Sequence, residues 1–272
     1  LMVKFYLPID QYGFYSMASL VITALGIVAS TTGTALIPSL TVARAKGDMS
    51  LYDRLVQNTS RITFMALVPV AAMIYVTSRD VFGLVLPDFL PSVTVVKILI
   101  FIGFVDIFCR VAWASLVAYG RGGLAAAAYL TAAAWNILWN WILIPRYGIE
   151  GAAIATLTSF ILLALLLQTM MRSTSGTRVR FASLLHPLVL SLVFPLLSFA
   201  LGGQSHFMRI IVIFIAGSVF YILLGIYTGL IGSRDIERAQ TALEPRREIP
   251  HVRLALGLLA ALDALRRRLR RQ

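Results

Sequence analysis

The stretch NILWNWILIPRYGIEGAAIATLTSF, residues 136–160, decides the fold. It closes one apolar run at Ile144 and opens another at Gly151, with only Pro-Arg-Tyr-Gly-Ile-Glu between them. An α-helix needs about 20 apolar residues to cross ~30 Å of hydrocarbon. Counting outward from the turn, residues 124–143 and 152–170 each meet that length. Pro145 falls at the boundary, where a missing backbone donor costs little. Gly148 and Gly151 permit a tight turn with positive φ and the close approach of two helices. Asn136 and Asn140 stand one turn apart on one helical face, suited to hydrogen bonds across a helix pair. The stretch reads as two membrane spans joined by a short turn.

The rest of the chain supports a lipid-embedded protein. Hydrophobic residues make up 59% and charged residues 13% of the 272, and the mean hydropathy is +0.84. A soluble domain carries about 25% charged residues, so this chain lacks the polar groups to cover itself in water. Five further apolar segments bring the count to about seven: 14–40, 62–76, 93–118, 184–200 and 210–231. The predicted architecture is all-α and integral to the membrane. Pro38, Pro69 and Pro195 lie within or near the ends of spans, where neighbours re-satisfy the freed carbonyls.

The net charge is +12, from 24 Lys+Arg against 12 Asp+Glu. The basic residues do not form a face interleaved with aromatics, so nucleic acid is not the expected partner. They fall in alternate loops. Arg44, Lys46, Arg54, Arg61, Arg121, Arg172, Arg178, Arg180 and the tail lie on one side; Lys4, Arg79, Lys97, Arg146 and Arg209 lie on the other. The division is about 18 against 5, and the positive-inside bias makes the first side, with the C-terminus, cytoplasmic. Residues 1–232 form the membrane bundle and 233–272 a separate basic tail. In the tail, Leu254, Leu258, Leu262, Leu265 and Leu269 recur at helical spacing beside massed arginines, the pattern of a helix lying on the anionic inner leaflet.

The segment at 136–160 resembles a signature of the polysaccharide branch of the multidrug/oligosaccharidyl-lipid/polysaccharide exporter superfamily. That branch shows N-x-x-x-N-x-x-L-I-P-x-Y-G-I-x-G-A-A-x-A-T between two late spans. The matching positions are Asn136, Asn140, Leu143, Ile144, Pro145, Tyr147, Gly148, Ile149, Gly151, Ala152, Ala153, Ala155 and Thr156. YGFYSMASLV, ALIPSLTVARAKGD and RVAWASLVAYGRGGLAAA are similar to other pieces of the branch, in the same order, over residues 3–230.

The resemblance implies a fourteen-span exporter in which two six-span bundles enclose a central cavity that opens alternately to either side, followed by two extra spans. The present chain corresponds to the second bundle and the extra spans, the C-terminal half. It would be partnered by an N-terminal half or by another chain. The implied activity is flipping of undecaprenyl-pyrophosphate-linked oligosaccharide or polysaccharide repeat units across the inner, cytoplasmic membrane. Membrane lipids and glycan-assembly proteins are the implied partners. No cofactor is expected beyond possible coupling to a Na+ or H+ gradient. A cation-coupled multidrug exporter or a peptidoglycan-precursor flippase of the same superfamily is the nearest alternative. A membrane-embedded glycosyl or acyl transferase is the alternative from another class.

Charged residues inside spans mark candidate sites, because each costs roughly 3 kcal/mol or more in hydrocarbon unless paired. Asp106 and Arg110, at i and i+4 in FIGFVDIFCRVAW, share a helix face. Arg110 offers a planar fork matched to pyrophosphate oxygens, with Asp106 holding it or taking part in ion coupling; a purely structural ion pair is the other reading. Lys97, nearer the outer side of the same span, either receives phosphate after flipping or reaches toward the interface. Asn136 and Asn140 either contact substrate or pack the helices, and Pro145, Tyr147, Gly148 and Gly151 shape the turn. The hydroxyl-rich run Ser30–Thr34 either lines a hydrated path or permits close packing. Asp80 and Asp88 are expected in an outer loop, too exposed for acid/base work. His186, His206 and His251 are scattered, Cys109 is single, and no metal site is expected. No nucleophile elbow, zinc-protease motif or P-loop occurs, so the chain is not expected to be an enzyme.

Overall fold

The computed structural model describes residues 2–228, 230, 236–237, 240–241, 244 and 250–269. Its helices are α1 (Met2–Tyr6), α2 (Ile9–Ala45), α3 (Met49–Val85), α4 (Ser92–Ala118), α5 (Gly122–Ser175), α6 (Ala182–Leu190), α7 (Val193–Ala200), α8 (His206–Val212), α9 (Ser218–Tyr227) and α10 (Pro250–Leu269). Among the described residues there is no strand. Five helical stretches are long and apolar enough to cross a membrane: α2, α3, α4, α5 and the run His206–Tyr227. The last joins α8 to α9 through a π-turn at Ile213–Gly217. The protein is an all-α membrane protein.

The 54-residue α5 is a hairpin. In a straight helix Asn136 and Ser159 would stand about 34 Å apart at 1.5 Å per residue. Here the Asn136 side-chain amide donates to Ser159 Oγ at 3.1 Å. The chain reverses at Gly148, whose φ of 56° and ψ of −135° interrupt the helix. That combination is essentially reserved for glycine. The arms 122–147 and 149–175 therefore account for two of the expected spans. The remaining difference is the segment Leu184–Ala200, which is helical but broken into α6 and α7 around Ser191 and Leu192.

Sequence boundaries were conservative for α3, expected at 62–76 and found at Met49–Val85. Its first turns are amphipathic and too polar for a hydropathy window, but Asp48 caps them by accepting from the Leu51 amide at 2.8 Å. The linker between α2 and α3 shrinks to Lys46-Gly47-Asp48.

Helix α4 occupies the centre. It packs against α2, α3 and α5, and its apolar window is the most buried of the five. The buried residues of α2 (Ala18, Leu25, Ala29, Gly33, Leu36, Leu40, Ala43) form one stripe at helical spacing, and its other face, including Leu20 and Ile27, is exposed. At Gly33 the two helices nearly touch: a Cβ there would lie 3.1 Å from Arg110 Cβ. The elements α6 to α8 lie against the outside of α3. An extended segment fastens them, since Gln57 donates to Arg178 O at 2.7 Å and accepts from Arg180 N at 3.1 Å. Helix α10 lies against α9. Leu258 on its leucine stripe is 59% exposed and Leu262 half-buried. The expected bundle–tail boundary at 232/233, and the side chains of Leu254, Leu265 and Leu269, fall outside the described residues.

Candidate functional site

Helix α4 separates two cavities of opposite character. The polar one, about 480 Å³, lies between α2, α4 and the second arm of α5. Along α2, Tyr15, Ser19, Thr23, Gly26 and Ser30 line it, a spacing of four, four, three and four residues that keeps them on one face. Ser19 Oγ donates to Tyr15 O at 2.9 Å, Thr23 Oγ1 to Ser19 O at 2.8 Å and Ser30 Oγ to Ile27 O at 2.9 Å. Their protons are thus spent on their own helix, and what remains for a ligand is oxygen lone pairs. Tyr15 OH and Thr156 Oγ1 meet at 3.1 Å, tying α2 to α5 across the cavity wall.

From α4 come Asp106 and Arg110. The Arg110 Nε–H is shared between Asp106 Oδ1 and Oδ2, at 3.1 Å to each. The Asp106 side chain is 5% exposed and that of Arg110 33%. Among the described residues the two Nη groups of Arg110 have no hydrogen-bond partner. The guanidinium is therefore held by one edge while its other edge, with paired N–H groups, stays open on the cavity. Close packing of Gly33 against the Arg110 backbone fixes the base of this side chain.

The other sequence-singled residues lie elsewhere. Lys97 is nine residues before Asp106, half a revolution round a helix of 3.6 residues per turn. It looks to the opposite side of α4, where its Nζ sits 5.4 Å above the Tyr75 ring. Asn136 and Asn140 belong to the hairpin: Asn140 Nδ2 donates to Asn136 Oδ1 at 2.8 Å, and Asn136 in turn to Ser159. They do not line the polar cavity. Gly151 is where the arms touch; a Cβ there would meet the Leu143 carbonyl oxygen and lie 2.7 Å from its carbon. Pro145 lies inside α5 beside the turn, and Tyr147 at its tip is 58% exposed. Of the hydroxyl-rich run, Ser30 lines the cavity and Gly33 makes the helix contact, while Thr31 and Thr34 bond to carbonyls of their own helix.

Asp80 requires a correction. It is not in an exposed loop but inside α3, 1% exposed. Its carboxylate contacts His206 Nδ1 at 2.6 Å and Arg209 Nη2 at 2.8 Å, both from α8. The sequence signal was present in the pairing of one acid with a His-x-x-Arg helical start, but a separation of 126 positions hid it. The cavity-lining set on α2 was likewise legible only as a hydroxyl pattern, because nothing local distinguishes a polar helix face that lines a cavity from one that packs.

The second cavity, about 530 Å³, is apolar. It lies on the other side of α4, between α3, the second arm of α5 and the α6–α7 pair. Phe108 and Phe181 stack across one end with ring centroids 6.2 Å apart.

No protein-family model matches the chain, and no curated protein matches it. Among solved structures, it is similar to the lipid II flippase MurJ in an inward closed conformation, with a TM-score of 0.69 at 16% identity. The match covers 85% of this chain and 50% of that one. A MATE-family multidrug resistance transporter of the MOP superfamily, in an inward-facing conformation, aligns at 18% identity with a TM-score of 0.49, over 93% of this chain and 63% of that one. The chain thus shares the fold of a flippase and spans about half its length.

Proposed function

We propose that this chain forms one wall of a transporter that flips lipid-linked oligosaccharide or polysaccharide repeat units, carried on undecaprenyl pyrophosphate, across the cytoplasmic membrane. The observation that carries the proposal is the open Nη edge of Arg110 in a hydroxyl-lined cavity of about 480 Å³. A guanidinium fork grips phosphate oxygens bidentately and is worth more away from water. The shared fold with a lipid II flippase supports a lipid-linked substrate, and the Pro-Tyr-Gly-Ile block supports the polysaccharide branch over the drug exporters. The cavity is one-sided: α2 exposes its flank, and a second bundle, from the same polypeptide or from a partner chain, forms the opposite wall.

Charge balance gives Asp106 its part. With Asp106 and Arg110 both ionised, the pair sums to zero, so an arriving pyrophosphate leaves the site strongly negative. A cation that neutralises Asp106 offsets this, which is how a Na+ or H+ gradient would drive the cycle. Asn136, Asn140, Pro145, Gly148 and Gly151 build the hairpin against which α4 bears. The bias of Lys and Arg toward alternate loops and the tail supports a cytoplasmic C-terminus.

The test varies the substrate. In proteoliposomes holding the complete transporter, a fluorescent oligosaccharide on undecaprenyl pyrophosphate should cross, and the same glycan on an uncharged undecaprenyl carrier should not. Equal crossing of both carriers would overturn the role given to the diphosphate. Crossing of drug-like cations but of neither glycan lipid would favour the multidrug reading.

A further inference from the structure

The apolar cavity behind α4 lies on the far side of that helix from Arg110, and its chemistry differs accordingly. On α4 it is lined by Ile100, Phe101, Phe104, Val105 and Phe108, with Ala72 and Tyr75 of α3 facing them. The groove is laterally open, since Phe101 is 47% and Leu192 of the α6–α7 pair 52% exposed. Its one end is stopped by the Phe108–Phe181 stack. At the other stands Lys97, four residues before Phe101 on the same face of α4. Its ammonium lies over the Tyr75 ring at 5.4 Å, and among the described residues no carboxylate pairs with it.

We infer that this groove holds one acyl chain of an anionic membrane phospholipid, with the lipid phosphate on Lys97. Length selects that occupant. Eleven residues separate Lys97 from Phe108, about 16 Å along a helix, which is one leaflet's share of a hydrocarbon core about 30 Å thick. A chain that must end at the phenylalanine stack is a leaflet-long acyl chain; a long polyprenyl chain would have to leave the groove. Charge selects the headgroup, because an ammonium without a carboxylate partner, held over an aromatic face at the mouth of the groove, matches a phosphate. Lys97 and the α3 residues Ala72 and Tyr75 thereby act as a lipid clamp that wedges the α6–α7 pair against the bundle. The inference goes beyond the flipping reading and stands whether or not Arg110 binds pyrophosphate.

Native mass spectrometry tests it on the full chain released from nanodiscs of equimolar dioleoyl phosphatidylglycerol and dioleoyl phosphatidylcholine. The wild type should retain one phosphatidylglycerol, favoured about fivefold over phosphatidylcholine, the effect of one lysine near an anionic lipid. Lys97→Arg should keep that preference and Lys97→Gln should bring it to parity, with the helical circular-dichroism signal unchanged in both. Ala72→Trp, which fills the groove from α3, should abolish retention of either lipid; Ile161→Trp fills it from α5 and replaces Ala72→Trp where that variant does not fold. Retention with undiminished preference in Lys97→Gln overturns the proposal, as does retention in a folded groove-filled variant. Displacement of the retained lipid by undecaprenyl phosphate overturns it too, because the groove would then belong to the substrate carrier.

Discussion

Replacing Gly148 by alanine asks whether one backbone conformation holds the hairpin of α5. At φ 56° and ψ −135° an L-residue is strained by about 1–3 kcal/mol. Space is not the obstacle, since the added Cβ would stand at an ordinary 3.5 Å from Gln11 Oε1. Gly151→Ala reaches a similar cost by another route. Its backbone is helical, but the Cβ would press on the Leu143 carbonyl group, 2.7 Å from the carbon, and overpacking of this kind costs about 1–3 kcal/mol. Gly13→Ala is the control, because it lies in α2 with no heavy atom within 4 Å of the new Cβ and gains up to about 1 kcal/mol of helix propensity. Reversible unfolding in mixed micelles reads all three. Gly148→Ala and Gly151→Ala should each lower the folded-to-unfolded ratio by about 5–150-fold, and Gly13→Ala should leave it equal or raised. A Gly148→Ala protein as stable as the Gly13→Ala control would refute the argument.

Three further outcomes follow from the same contacts. Arg209→Ala leaves the buried Asp80 carboxylate, among the described residues, with His206 alone and should cost about 3–5 kcal/mol, whereas the double change Asp80→Leu with Arg209→Met should cost much less; thermal unfolding in detergent distinguishes them. Asn136→Ala removes the bonds to Ser159 and Asn140 and should cost about 0.6–1.7 kcal/mol by the same assay, as interhelical side-chain bonds in membranes do. The Leu51 amide and the Ser50 hydroxyl hold the Asp48 carboxyl below its usual value. A carboxylate whose pKa is lowered by folding contributes stability above its unfolded value of 3.8, and that contribution is lost as pH falls through the lower folded value. Hydrogen exchange at the start of α3 should therefore accelerate only in strong acid, and Asp48→Ala should show the fast exchange already at neutral pH.

Much of the fold was legible because hydropathy reports what the bilayer requires. Apolar length located α2, α3, α4, the two arms of α5 and the run His206–Tyr227, and Pro145, Gly148 and Gly151 located a reversal that only glycine permits. The amphipathic start of α3 was not legible, since a helix that leaves the membrane loses its apolar signal while keeping its hydrogen bonds. Nor was the break between α6 and α7 legible. The pairing of Asp106 with Arg110 could be read from their spacing, because i and i+4 meet in any helix. The partner of Asp80 could not, because it depends on tertiary packing over 126 residues. Lys97 shows the complementary lesson: it shares a helix with Arg110, and helical phase alone sends it to a different cavity.

The central claim rests on the shape of one guanidinium, and Arg110→Lys tests it most directly. The measurement is the rate at which a lipid-linked oligosaccharide is flipped by the complete transporter in proteoliposomes, wild type against Arg110→Lys and Arg110→Ala. A bidentate phosphate clamp predicts that lysine, although it keeps the charge, loses most of the activity, and that alanine loses it all. Full flipping by Arg110→Ala would contradict the account. Full flipping by Arg110→Lys would reduce the pair to an electrostatic tie between Arg110 and Asp106.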